Sequence, residues 1–281
     1  MEHHHHGPQL AELLDLDAEV LHAYLADVTA WVREQAAGQP GRVLDLGAGT
    51  GTGTVALARA FAGADVTAVD RSADMLARVR SRAAGLGLAG RVATVQADLD
   101  AGWPASELSS EPADLAWASN VLHELPRPEL FLAGAFAAIR PGGLLAVAEL
   151  GAPPRFLPDD IGLGRPGLEA RCHAALESAP ERPPTPHGAD WAPALERAGF
   201  APVTRRTFPI DLKPPQPPAV ARYARAYLQH IRPALDGRLA AADLTVLDTL
   251  LDPDSPASLL RRPDLTVRAT RTAWLARRPP Q

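Results

Sequence analysis

A doubly wound α/β sheet is the fold class this sequence predicts, and three observations predict it. Short apolar runs alternate with helix-period segments between Arg42 and Leu150. The first run breaks into a turn with glycines at 47, 49, 51 and 53. Acids, Asp45, Asp70 and Asp98, stand within or at the end of the first three runs. Strands alternating with helices imply βαβ units, a parallel sheet and right-handed crossovers. Ligands of such sheets sit beyond the carboxyl ends of the strands.

The elements follow in order. Residues 1–8, with His3 to His6, are either a shortened purification tag or a native histidine-rich tail, and are set aside. From 9 to 38, Leu10, Leu13, Leu14, Leu21, Leu25, Val28 and Val32 recur at helical spacing, which predicts an N-terminal helical lid in one or two pieces. Residues 39–150 make the ligand-binding core. Strands are predicted at Val43–Leu46, Ala64–Asp70, Arg91–Asp98, Ala113–Asn120 and Gly143–Leu150, with helices at Thr52–Phe61, Ala73–Ala84 and Pro128–Arg140. In the remaining segment, 151–281, fifteen of the 28 prolines fall between 151 and 220, so loops interrupt it. Trp191–Phe200 reads as a short helix and Val203–Leu212 as a strand. Ala219–Ile231 and Asp243–Leu251 read as helices, and Thr266–Arg278 as a late strand. The two helices before that strand form a helical insert, expected as a lid over the ligand edge.

Bulk properties exclude several classes. A chain of 281 residues with 46% hydrophobic and 22% charged residues buries one large core, or a core and a subdomain. No apolar run approaches the ~20 residues of a membrane helix and no signal-peptide pattern opens the chain, so a cytoplasmic location is expected. Cys172 is the single cysteine, which excludes an internal disulfide and a multi-cysteine zinc site; no metal is expected. A net charge of -5 argues against a nucleic-acid partner. Nothing in the sequence bears on oligomeric state.

The glycines do not fit a dinucleotide. In G-x-G-x-x-G the third glycine is replaced by Thr52 or, one register on, by Thr54, and no Lys-Ser or Lys-Thr closes a phosphate loop. What remains is Asp45 through Gly51, D-x-G-x-G-x-G. An acid there suits an ammonium or sulfonium better than a pyrophosphate. Asp70 ends the second strand, where a carboxylate accepts both hydroxyls of a ribose. Asp98 ends the third, where it can take an exocyclic amine while Leu99 packs the ring. These positions describe an adenosine with a positively charged tail. Local alternatives exist: Asp70 and Ser72 both suit a helix N-cap, and loop aspartates such as Asp98 often satisfy nearby backbone.

Taken in series, the segments resemble the class I S-adenosylmethionine-dependent methyltransferases of small molecules. "VLDLGAGTGTGT" is similar to that family's first motif, "TAVDRSADML" to its ribose segment and "VQADL" to its adenine segment. "ADLAWASNVLHEL" and "IRPGGLLAVAEL" resemble its fourth- and fifth-strand motifs. The resemblance covers about 42–150. It implies a Rossmann-like, mostly parallel seven-stranded sheet whose last strand, antiparallel, is Thr266–Arg278. It further implies that Gly47, Ala48 and Gly49 approach the methionine part of the cofactor and that Asp45 orients it. Asp70 would hold the ribose, Arg71 and Met75 flank the adenine, Asp98 and Leu99 complete its pocket, and the backbone of Asn120 meets the amino end. The implied product is S-adenosylhomocysteine.

His123 and Glu124 follow the fourth strand, and His123 is the first candidate for a catalytic base toward a hydroxyl or amine acceptor. The alternative is a histidine that lines the site without proton transfer, since methyl transfer needs mainly in-line positioning and desolvation. Tyr24, together with His22 and Trp31, and Tyr223 and Tyr227 are candidates to line a substrate pocket, or else plain core. Glu149, ending the fifth strand, either reaches the substrate or caps the next loop. The expected function is methyl transfer to a small molecule, at oxygen, nitrogen or carbon. The rivals are a nicotinamide oxidoreductase on a related sheet and a non-catalytic S-adenosylmethionine-binding protein.

Overall fold

The computed structural model describes residues 7–36, 38–104, 107–108, 111–178 and 187–280. The histidine run His3–His6 lies outside them. The chain divides into two compact units, each treated by itself below. Unit two takes the described residues within 22–151, 183–208 and 271–281, and unit one those within 1–21, 152–182 and 209–270.

Unit two carries the sheet core. Its parallel strands are β1 (Arg42–Leu46), β2 (Asp65–Asp70), β3 (Val92–Gln96), β4 (Ala113–Ser119) and the first part of β5 (Ile139–Arg155). With β6 (Val203–Leu212) and β7 (Val267–Arg277), the seven-stranded order is β3-β2-β1-β4-β5-β7-β6. Strand β7 runs antiparallel to its neighbours. Gly142 donates to Arg278 and, far along β5, Thr266 donates to Phe156, so the pairing runs in opposite senses. The helices of this unit are α2 (His22–Gln35), α3 (Thr52–Ala60), α4 (Ala73–Gly85), α5 (Pro128–Ala138) and α7 (Ala192–Arg197).

Alternation along the strands puts apolar side chains on both faces, as a sheet covered on both sides requires. Leu44, Leu46, Ala116, Ala118, Leu145 and Val147 join one buried cluster. Val43, Leu115, Trp117, Leu144, Ala146 and Ala148 join the other, beneath α2 and α3. Register brings the strand ends together: Leu46 stands opposite both Val69 and Ala118, and Ser119 opposite Ala148. The next residues, Gly47, Asp70, Asn120 and Glu149, therefore share one edge.

Unit one holds α1 (Pro8–Val20), α6 (Leu168–Glu177), α8 (Pro218–Ile231) and α9 (Ala241–Leu251), with the distal ends of β5, β6 and β7. Helix α1 lies on α8: the Tyr223 hydroxyl donates to Asp17 at 2.5 Å, and Arg222 pairs with Glu19. Buried Asp243 accepts both arms of the Arg171 guanidinium and a third bond from Arg165. The N-terminal helical segment is thus two helices that fall in different units.

Candidate active site

The glycine turn after β1 is shaped by backbone geometry. Gly47, Gly49 and Gly51 all have positive φ, +74°, +52° and +86°. The turn is tied to β2, since the amides of Gly47 and Ala48 both donate to the Val69 carbonyl. A Cβ on Gly47 would lie 2.5 Å from a methyl of Val121, and one on Gly51 2.9 Å from a methyl of Val79. Both positions therefore need glycine for space as well as conformation.

Asp45 points to the α3 face of the sheet. It is 2% exposed and accepts a hydrogen bond from the Thr54 hydroxyl at 2.5 Å. Burial pushes its carboxyl up from 3.8 to about 7, the Thr54 bond pulling the other way and Asp70 adding repulsion. Asp70 ends β2 as predicted, and its two oxygens accept from the amides of Gly49 (2.8 Å) and Ser72 (2.9 Å). The capping role itself belongs to Ser72, whose hydroxyl accepts from the Met75 amide, while the Met75 side chain is buried. Arg71 faces Asp100 at 3.7 Å, and its carbonyl accepts from Gln96. Asp98 is exposed and accepts from the Asp100 amide two residues on, a local turn; Leu99 packs against the core cluster.

The end of β4 is the most constrained stretch. Asn120 has φ +55°, the only positive φ of a non-glycine residue among those described, and its amide donates to Ala148. Its Oδ1 is buried without a hydrogen-bond partner among the described residues. A left-handed residue with an orphaned acceptor at a strand end is the kind of strain that functional sites hold.

Glu149 explains how the following loop is held. Its side chain is 3% exposed; one oxygen accepts from the amides of Val121 (3.0 Å) and Leu122 (2.8 Å), and the other meets His123 Nδ1 at 2.5 Å. His123 Nε2 in turn lies 3.1 Å from Glu124, whose side chain is 69% exposed. Burial alone would lower the imidazole's pKa, but the hydrogen bonds to Glu124 and Glu149 carry it from 6.5 up to about 9. Each ring nitrogen faces a carboxylate oxygen, an arrangement that favours the doubly protonated ring.

With both ring nitrogens engaged by carboxylates and its pKa pushed up, His123 is poorly disposed in this arrangement to act as a base. Glu149 thus holds the loop after β4, not a loop following its own strand, which continues to Arg155. His187, which the sequence reading did not single out, lies with its ring 5.1 Å from that of His123, and its pKa is lowered from 6.5, first by desolvation and then by His123. A lone histidine in a proline-rich segment gave no sequence signal for this.

The aromatic pocket candidates resolve differently. Tyr24 packs edge-on against Phe208 at 5.5 Å and Trp31 against the same ring at 6.2 Å, within the unit-two core. Tyr223 is 2% exposed, with its hydroxyl on Asp17, and is a core residue of unit one rather than a pocket wall. Tyr227, half-buried in unit one, lies against Phe156 and 3.4 Å from His173 Nε2. Buried Cys172 has its thiol pushed up to about 11, first by burial, and is inert as a nucleophile. Among the described residues no group of three or more His, Cys, Asp and Glu is placed to hold a metal, and no helix is long and apolar enough to cross a membrane.

With this geometry in hand, comparison with known proteins is informative. Residues 43–143 match the family model described as a methyltransferase domain. No curated protein matches the chain in sequence. Among solved structures, a Bacillus halodurans protein assigned as a methyltransferase is 19% identical, with a TM-score of 0.53 over 90% of this chain and 99% of its own. An O-methyltransferase family protein from Burkholderia thailandensis is 17% identical, with a TM-score of 0.53 over 97% of this chain and 61% of its own. The cyclase SpnF is 19% identical, with a TM-score of 0.50 over 91% of this chain and 82% of its own. At such identities these likenesses establish the fold, which hosts more than one chemistry.

Proposed function

We propose that this chain, whose residues 43–143 match a methyltransferase-domain model, is a class I S-adenosylmethionine-dependent methyltransferase that transfers a methyl group to a small-molecule acceptor. The observation that carries the reading is the shared edge of Gly47, Asp70, Asn120 and Glu149, where a positive-φ glycine turn, a ribose-type carboxylate and an orphaned carbonyl meet.

The residues fit the cofactor. Gly47, Gly49 and Gly51 give the turn a positive-φ backbone without side chains, and Asp70 keeps a second lone pair on each oxygen for a ribose after serving Gly49 and Ser72. Buried Asn120 Oδ1 stands ready for a donor such as an ammonium. Leu99 and Met75 supply apolar surface for the adenine, and exposed Asp98 is available to its amine. Asp45 acts indirectly, through Thr54 and the turn that it braces. Bound there, the cofactor supplies an electrophilic methyl on a sulfonium. The chain's part is to position the acceptor and exclude water, for which the rigid β4 loop clamped by Glu149 is suited. A net charge of -5 supports a small acceptor over a nucleic acid.

Calorimetric titration with S-adenosylhomocysteine, with NAD as control, tests the cofactor site. We expect micromolar binding in the wild type, at least tenfold weaker binding in Asp70→Ala, and no heat from NAD. Binding of NAD alone would make the turn a divergent dinucleotide loop and overturn the reading.

A further inference from the structure

We infer that the methyl acceptor enters as an oxyanion, a carboxylate or phenolate, and is received by His123 Nε2 in place of the Glu124 carboxylate. The inference rests on the methyltransferase reading and deepens it by naming the substrate class.

Three features of unit two carry it. First, the two carboxylates that flank His123 are unequal. Glu149 is buried and fixed by two backbone amides as well as Nδ1, whereas Glu124 is largely exposed and holds Nε2 by a longer contact of 3.1 Å. One partner is permanent and the other exchangeable. Second, withdrawal of Glu124 would leave a cationic N–H, buried on its other sides, aimed at the vacated position; the chemistry that best replaces a carboxylate there is another oxyanion. Third, the surrounding charges tolerate the exchange. Arg71 already acts on Glu124 and offers the displaced carboxylate a cation, and the His187 ring, on which Arg271 acts, lies 5.1 Å from that of His123. The charged and titratable groups about His123 are thus Glu124, Glu149 and His187, with Arg271 acting on His187 and Arg71 on Glu124.

The balance of the reaction agrees with this assignment. An oxyanion gives a lone pair to the methyl carbon as the carbon–sulfur bond breaks, and a neutral ester or ether and a neutral thioether result. No proton is released, so no base is needed, which is consistent with an imidazolium at the site. A neutral alcohol would require a proton acceptor that His123, bound at both nitrogens, does not provide.

The test uses full-length protein saturated with S-adenosylhomocysteine, labelled with nitrogen-15 in histidine, and three probes: benzoate, 4-nitrophenolate and neutral benzamide. The His123 ring signals are identified by their loss in His123→Gln. We expect one or both anions to shift the His123 Nε2 resonance and benzamide to leave it unmoved. Because Glu124 is an intramolecular competitor, Glu124→Gln should tighten the anion by about tenfold or more. Response to benzoate alone assigns a carboxylate acceptor, and response to nitrophenolate alone a phenolate. Equal response to benzoate and benzamide, no response to either anion, or unchanged anion affinity in Glu124→Gln overturns the inference. Retained S-adenosylhomocysteine binding in those cases leaves the methyltransferase reading standing; its absence in the wild type fails that reading instead.

Discussion

Gly47 shows how one residue couples the cofactor turn to the acceptor loop. Its φ of +74° is a conformation that side chains resist, and its missing Cβ is the space that Val121 occupies. Val121 cannot retreat freely, because Glu149 holds its amide. Gly47→Ala is therefore expected to lower stability by about 1–3 kcal/mol through backbone strain and overpacking. It should also weaken S-adenosylhomocysteine binding by at least tenfold. Thermal unfolding and calorimetry on the same preparation check both; a stable variant with unchanged affinity would mean that the turn and loop relax independently. At this scale much was legible from sequence. Asp70 and the glycines follow directly from a strand running into a turn. Glu149 was ambiguous, because its partners lie 26 to 28 positions away and become adjacent only through the β4–β5 register. For His123 the residue was legible but its charge state was not. Protonation depends on two carboxylates, of which only Glu124 is a sequence neighbour.

At the scale of elements, the end of the sheet opposite the site is fastened by Asp114. One oxygen accepts from the amides of Gly41 (2.8 Å) and Arg42 (3.0 Å) at the start of β1, and the other from Arg140 at 2.5 Å. Burial works against ionisation, but these bonds hold the carboxyl below its usual range, so the clasp persists at neutral pH. Asp114→Ala leaves three donors unpaired and is expected to cost about 1–3 kcal/mol. Affinity for S-adenosylhomocysteine should stay within about twofold, because the cofactor edge lies at the carboxyl ends of the strands. Denaturant unfolding with parallel titration checks this. A large loss of affinity at native protein concentration would show that β1 transmits strain along its length. The same region explains where element boundaries escaped the sequence. Strand β5 was expected at Gly143–Leu150 but spans Ile139–Arg155. Pro141, Gly142 and Gly143 look like strand breakers, yet they form a register shift between the pairs Ala113–Ile139 and Leu115–Leu144, where a bulge admits them. Helix α6 was hidden by the proline-rich texture around it, since its own ten residues contain none.

At the scale of the molecule, charge and fold meet in the pH dependence of unit two, which can be read separately. All five tryptophans, Trp31, Trp103, Trp117, Trp191 and Trp274, lie in unit two, so tryptophan fluorescence reports its unfolding. Among its shifted groups, Asp45 is pushed up to about 7, Asp114 and Glu124 are held low, and His187 is lowered from 6.5. Asp114, Glu124 and His187 have completed most of their titration by pH 7 in both folded and unfolded states, whereas folded Asp45 is only about half ionised there. His123, raised from 6.5 to about 9, differs between the two states over the widest range above that point, and Asp45 adds a smaller loss of the same sign just above pH 7. A raised cationic group stabilises fully below its unfolded value and loses that contribution as pH climbs to its folded value. Unit two should therefore lose about 1–3 kcal/mol between pH 7 and 9, with a slope no steeper than about 1.4 kcal/mol per pH unit. Guanidinium unfolding followed by tryptophan emission at pH 7, 8 and 9 gives that slope directly. In His123→Gln most of the loss should disappear, leaving the small share of Asp45, while Asp45→Asn should keep most of it. Parallel slopes in wild type and His123→Gln would mean that the ring is neutral in the folded protein, and the oxyanion acceptor would lose its cation. If the slopes diverge, affinity for an anionic acceptor must weaken over the same pH interval, because one proton on His123 supports both the loop that holds the site and the charge that receives the substrate.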